Sequence, residues 1–152
     1  RWYGHGPDEN YVDRKQSEFV GVWSRDVKDL YTPYVRPQEN GNREGVRWFT
    51  LTNAAGRGLM VVAETELLAV TALHYSVADL DAAKHAHELK ARPETFLSLD
   101  AAQCGLGNGS CGPGVLEKYS VPVKTYEWKL SLRPCAGLDD TSAASAARLR
   151  LP

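Results

Sequence analysis

The chain of 152 residues is short of several features that would decide its class at once. It has three cysteines, Cys104, Cys111 and Cys135, and an odd count argues against a disulfide framework. Cys104 and Cys111 are near enough in sequence for one bridge; free thiols in a reducing compartment are the other reading. The formal net charge is −1, so there is no electrostatic case for a nucleic acid or an anionic membrane as partner. No apolar run approaches the roughly 18 residues of a membrane span. There is no internal repeat and no heptad. Ser, His and Asp are all present, yet no Gly-x-Ser-x-Gly nucleophile elbow occurs. The chain opens Arg1-Trp2-Tyr3-Gly4, without methionine, signal-like apolar stretch or cleavage site. The expectation is therefore a piece from the interior of a larger protein, with open edges on its first strands.

What is present is an ordinary soluble composition, 43% hydrophobic and 24% charged, in a chain long enough for one domain with a core. The pattern is mostly strand. Residues 18–24 alternate Phe, Gly and Trp against two valines, and residues 45–52 alternate Val, Trp and Thr against Arg, Phe and Leu. Residues 59–63 follow two glycines. Residues 67–75 are apolar on both faces, as in a strand covered on both sides. Strands are also expected at 84–89, 95–100 and 126–133. One short helix is expected from Val77 to Ala83, because Ser76 followed by Asp79 reads as a capping box. Turns recur about every ten residues, which argues an antiparallel β-sandwich or barrel. The four tryptophans, Trp2, Trp23, Trp48 and Trp128, read as core. From Cys135 onward Ala, Ser and Asp dominate without an apolar period. Residues 1–134 are therefore read as the folded unit and 135–152 as a poorly ordered tail, with a helix from Thr141 to Leu149 as the lesser alternative.

Two loops stand out. The first, residues 31–43, holds Pro33 and Pro37, Tyr31 and Tyr34, Arg36 and Arg43, and a Glu39-Asn40-Gly41 turn. Proline fixes φ and donates no amide, so this is extended irregular backbone, and Asn-Gly is a strong turn signal. Arg36 and Arg43 are expected to hold it by pairing with Glu39, Glu9 or backbone carbonyls rather than by binding ligand. The second loop, residues 105–114, is glycine-rich, and no helix pattern follows to supply a phosphate-binding dipole. Asn108-Gly109-Ser110 also fits a glycosylation sequon, which means little without a secretory context.

Glycoside cleavage normally takes two carboxylates about 5–10 Å apart. Asp8, Glu9, Glu39 and Asp100 are the candidates, but Glu9 and Glu39 each precede an Asn and read as loop-fixing groups. His85 and His87, two apart, would face one side of a strand and grip a metal, with His5, His74 or Glu88 as third ligands. Bonding of both rings to loop backbone or carboxylates is preferred, so no metal is assigned.

Four segments, in order, resemble the C-terminal β-sandwich domain of the bacterial β-galactosidases of glycoside hydrolase family 2. They are residues 1–14 (Arg-Trp-Tyr-Gly-His-Gly-Pro-Asp-Glu-Asn-Tyr-Val-Asp-Arg), 31–43, 72–75 with 83–89, and 105–113. The resemblance runs from about Trp2 to Pro134. It implies a galactose mutarotase-like supersandwich, present here as its C-terminal portion. It implies a parent that hydrolyses terminal β-D-galactosides with retention, its two catalytic glutamates lying in a barrel outside this chain. The piece itself is then non-catalytic: it packs on the barrel and on the N-terminal half of its own domain, frames the active-site entrance and binds carbohydrate weakly if at all. No catalytic residue and no cofactor is expected in it; Mg and Na would belong to the parent outside this chain, and the parent is expected in the cytoplasm, with a periplasmic or secreted parent as the alternative. The glycine loop is the substrate-proximal part, on the leaving-group side, with Asn108, Ser110 and Cys111. Some relatives carry a sugar-stacking tryptophan where this chain has Cys111, in a loop one residue shorter, so the platform is lost or another aromatic replaces it. Arg36, Glu39, Asn40, Arg43 and Glu9 are assigned to loop structure. Two rivals belong to other classes: a free-standing carbohydrate-binding module, marked by a row of exposed aromatics, and a mutarotase-like epimerase, marked by His74 or His85 facing Glu39.

Overall fold

A computed structural model describes residues 1–107 and 112–149. Eight strands form two antiparallel sheets: β1 (Trp2–Gly6), β2 (Phe19–Trp23), β3 (Arg43–Val46), β4 (Trp48–Thr52), β5 (Arg57–Ala63), β6 (Leu68–Leu73), β7 (Phe96–Asp100) and β8 (Leu130–Ala136). The larger sheet has the order β2-β1-β4-β5-β8 and the smaller β3-β6-β7. The fold is all-β and sandwich-like.

The period of two along the strands builds the sandwich. On β4 and β5, Phe49, Val61 and their partly buried neighbours Leu51 and Leu59 point to a core shared with Val46, Leu68, Val70 and Ala72 of the smaller sheet. The alternate residues Trp48, Met60 and Val62 point the other way and meet Ala143. Ala143 lies on helix α2 (Asp140–Arg148), which covers the outer face of the larger sheet.

Several expectations are corrected. The run 45–52 is two strands in two sheets: β3 pairs with β6, β4 with β5, and the chain crosses between the layers at Arg47. Val46 and Phe49 both feed the inter-sheet core, so a chain stepping across it keeps both buried. β1 was hidden by its glycines and its Gly-Pro ending, although its burial alternates strictly. The strand expected at 126–133 begins at Leu130 and runs on through Pro134, paired with β5 from Ala63↔Leu130 to Arg57↔Ala136. Proline is tolerated there because β8 is an edge strand. Residues 84–89 make a 3-10 turn at Ala86–Glu88 instead of a strand.

The tail expected after residue 134 is ordered structure over its described length. Asp139 caps α2 with a carboxylate that accepts from the Ser142 amide at 2.7 Å, and Ala143 is fully buried. Arg133 clamps the helix end, donating to the carbonyls of Ala146 and Leu149 and to Glu64 Oε1. The alanines gave no apolar period because their use here is smallness, which lets the helix lie close on Trp48 and Met60. The other helix, α1 (Val77–Ala82), lies where the Ser76–Asp79 capping box placed it. No helix among the described residues is long and apolar enough to cross a membrane.

Candidate functional site

The residues between β1 and β2 and the proline-rich loop interlock through buried polar groups. Glu9, Asn10, Tyr11, Asn40, Asn42 and Arg43 are all buried. Asn40 stitches its own loop: its Oδ1 accepts from the Thr32 amide at 3.0 Å and its Nδ2 donates to the Gln38 carbonyl at 2.9 Å. Asn10 joins the two segments. Its amide donates to the Asn42 carbonyl, and its Oδ1 accepts from the Glu44 amide at 2.8 Å. Gly41 has φ +79°, as the Asn-Gly turn requires, and its amide donates to Glu9 Oε2 at 2.8 Å.

Arg43 is held by backbone and not by a carboxylate. Its guanidinium donates to the carbonyls of Leu30, Gly41 and Pro7, and lies 5.3 Å from the Trp2 ring centroid. Burial, with the charge of Arg25, lowers its pKa to about 10. Arg36 is exposed. Arg43 thus bonds backbone carbonyls, and no Arg36 side-chain contact accompanies it among the described residues.

Above this platform lies a cleft of about 930 Å³ between the proline-rich loop and the two roots of the glycine loop. Tyr34 and Glu39 line it from the proline-rich loop, Gly107, Gly114 and Tyr119 from the glycine loop and the turn after it, and Asp13 lines it as well. Asp13 fixes the loop root: its carboxylate accepts from the amides of Leu106 at 3.1 Å and Gly107 at 2.7 Å. Gly107 has φ +62°, a left-handed conformation that glycine adopts without strain. Asp13 was missed by sequence reasoning. An Asp before an Arg at the end of a turn carries no signal of a partner 94 residues away.

The carboxylates differ in what they can do. Both oxygens of Glu9 are engaged: Oε1 by Tyr34 and by Arg14 at 3.3 Å, Oε2 by the Gly41 amide. Both oxygens of Asp13 are used by the loop. Glu39 is bonded by the Tyr11 hydroxyl at 3.0 Å and keeps an exposed edge on the cleft. Removal from water raises the Glu39 pKa against the opposing Tyr11 bond, and the charges of Glu9 and Asp100 add to the rise. Burial, and then the nearby Glu39 charge, raise the Tyr11 hydroxyl strongly. Among the described lining residues no second free carboxylate accompanies Glu39, whereas glycoside cleavage normally takes two.

Asn108, Ser110 and Cys111 lie outside the described residues, as does any Cys104–Cys111 pairing; Cys135 is a free thiol. The histidines are not brought to Glu39: His74 Nδ1 is 2.9 Å from the Glu94 carbonyl and His85 Nδ1 is 3.0 Å from Glu88. Of the tryptophans, Trp2 and Trp48 are core, Trp23 is half-buried and Trp128 is exposed.

Comparison with known proteins gives one consistent result. The family described as the beta-galactosidase small chain matches residues 1–132. A beta-galactosidase BgaC of Bifidobacterium adolescentis is 42% identical over 126 residues, 81% of this chain and 12% of its own length. Beta-galactosidases of Priestia megaterium and Lactobacillus delbrueckii subsp. bulgaricus are 41% and 38% identical over 70% and 88% of this chain. The chain spans 10% and 13% of those two relatives.

Proposed function

The chain belongs to the beta-galactosidase small-chain family, and from that premise we propose that it is a non-catalytic C-terminal portion of a family-2 β-galactosidase. In this reading it packs against the rest of the parent, including the catalytic barrel and the N-terminal half of its own domain. It frames the entrance through which a terminal β-D-galactoside reaches the parent's catalytic glutamates, in the cytoplasm. The observation that carries the reading is the cleft itself. The proline-rich loop and the glycine loop, more than sixty residues apart in sequence, both line it, and Asp13 anchors the second to the first region of the chain. Asn108, Ser110 and Cys111 belong to the loop whose two roots line that cleft, which supports their assignment to the leaving-group side. Tyr34 and Tyr119 supply aromatic surface in its lining, partial substitutes for the ring that Cys111 lacks.

The cleft's carboxylates support the non-catalytic role. Asp13 is spent on backbone amides, which leaves Glu39 without a free partner among the described lining residues. The test is direct: the chain alone is incubated with a chromogenic β-galactoside. No release above a buffer blank is expected. Turnover that is abolished by Glu39→Gln would assign the chain an active site of its own.

A further inference from the structure

We propose that His85, His87 and Glu88 form a binding site for a divalent transition-metal ion of the zinc or copper class. The site owes its existence to the 3-10 turn at Ala86–Glu88. On a strand the two imidazoles would share a face while Glu88 pointed away. The turn instead gathers all three side chains, so that one ligand atom from each lies within 4.8 Å of the others. The imidazoles are near-parallel, 17° apart with centroids at 5.4 Å.

The distances suit coordination. Zinc binds imidazole nitrogen and carboxylate oxygen at about 2.0–2.2 Å, which in tetrahedral geometry sets neighbouring ligands roughly 3.3–3.6 Å apart. His85 Nδ1 and Glu88 Oε1 are already 3.0 Å apart, so an ion replaces the proton they share without drawing the side chains together. The widest separation closes by rotation of an imidazole, since all three side chains are exposed. Glu88 is oriented for this by its other oxygen, which accepts from the Lys84 amide at 2.9 Å, and a positioned carboxylate is what a ligand set needs. Two imidazoles and one carboxylate favour zinc, copper or nickel over magnesium or calcium, which take oxygen sets. Three protein ligands leave the remaining positions to water.

The site is separate from the cleft, and its test involves no sugar, so it stands or falls independently of the galactosidase reading. Zinc chloride is titrated calorimetrically into the chain and into His85→Ala, His87→Ala and Glu88→Gln. One zinc per chain is expected, with affinity reduced at least about tenfold by either histidine change, as loss of a direct ligand should exceed loss of an outer-shell partner. A magnesium titration should give no heat. In a second measurement on the unaltered chain, substoichiometric copper should broaden the ring signals of His85 and His87 while those of His5 and His74 persist. Zinc binding unchanged in both histidine variants, no zinc binding at all, or equal broadening of all four histidines would overturn the proposal.

Discussion

The carboxylate of Asp13 accepts the Gly107 amide at 2.7 Å and so ties the start of the glycine loop to the segment between β1 and β2. A second bond from the Leu106 amide makes the contact two-pronged, and the adjacent Gly105 is packed so closely that a Cβ there would lie 2.7 Å from Asp13 Cγ. Asp13→Ala should remove both bonds, at about 1–3 kcal/mol for hydrogen bonds to a charged group. Gly105→Ala should displace the carboxylate by collision. In either variant the Leu106 and Gly107 amides should exchange with deuterium faster, while amides of β4 and β5 stay protected. Unchanged exchange at Gly107 would show that the loop root is held by something else.

Arg43 sits beneath the cleft as a clasp on three carbonyls, those of Leu30, Gly41 and Pro7. Arg43→Ala should destabilise the chain by about 2–4 kcal/mol, from buried carbonyls left without a donor at roughly 1–3 kcal/mol each and a lost stack on Trp2. Arg43→Lys should recover part of this, since an ammonium cannot reach the carbonyls in a planar fork. Denaturant midpoints measure both; an unaltered midpoint in Arg43→Ala would remove the clasp from the account.

Glu39 should titrate above 4.5, because withdrawal from water disfavours its charged form more than the Tyr11 bond favours it. The sign for stability follows. A carboxyl whose folded pKa is raised binds more protons folded than unfolded, so its contribution declines as pH rises from the unfolded value through the folded one. Glu39→Gln should therefore make stability less steep in that window, with the variant gaining on the unaltered chain toward neutral pH. The carboxyl carbon followed by NMR, with stability against pH, gives both readings; a midpoint at or below 4.5 would contradict them.

Legibility in the sequence depended on what each residue type signals locally. Alternation on β4 to β7 and the Ser76–Asp79 cap are local, and the elements lie close to where they were expected. The crossing at Arg47 was not legible, because alternation continues through a change of sheet. Helix α2 was legible only as the lesser alternative, a helix from Thr141 to Leu149, because Ala143 packs by being small and small residues leave no apolar stripe. At the site, Glu9, Asn40 and Arg43 could be read as loop-fixing from residue type and turn chemistry. The tether from Asp13 could not, since nothing in its neighbourhood names a partner 94 residues on.

The central proposal is that the cleft forms the acceptor side of the active site in a parent β-galactosidase. The decisive quantity is the ratio of galactosyl transfer to hydrolysis on lactose, measured in the full-length β-galactosidase proposed as the parent of this chain, with and without Asp13→Ala. Loss of the tether should lower that ratio by about two- to fivefold, equivalent to roughly 0.5–1 kcal/mol of acceptor positioning. Hydrolysis of an aryl galactoside, whose leaving group needs no acceptor site, should stay within about twofold. An unchanged ratio in a folded variant whose Gly107 amide has been released, or an equal loss on both substrates, would contradict the account.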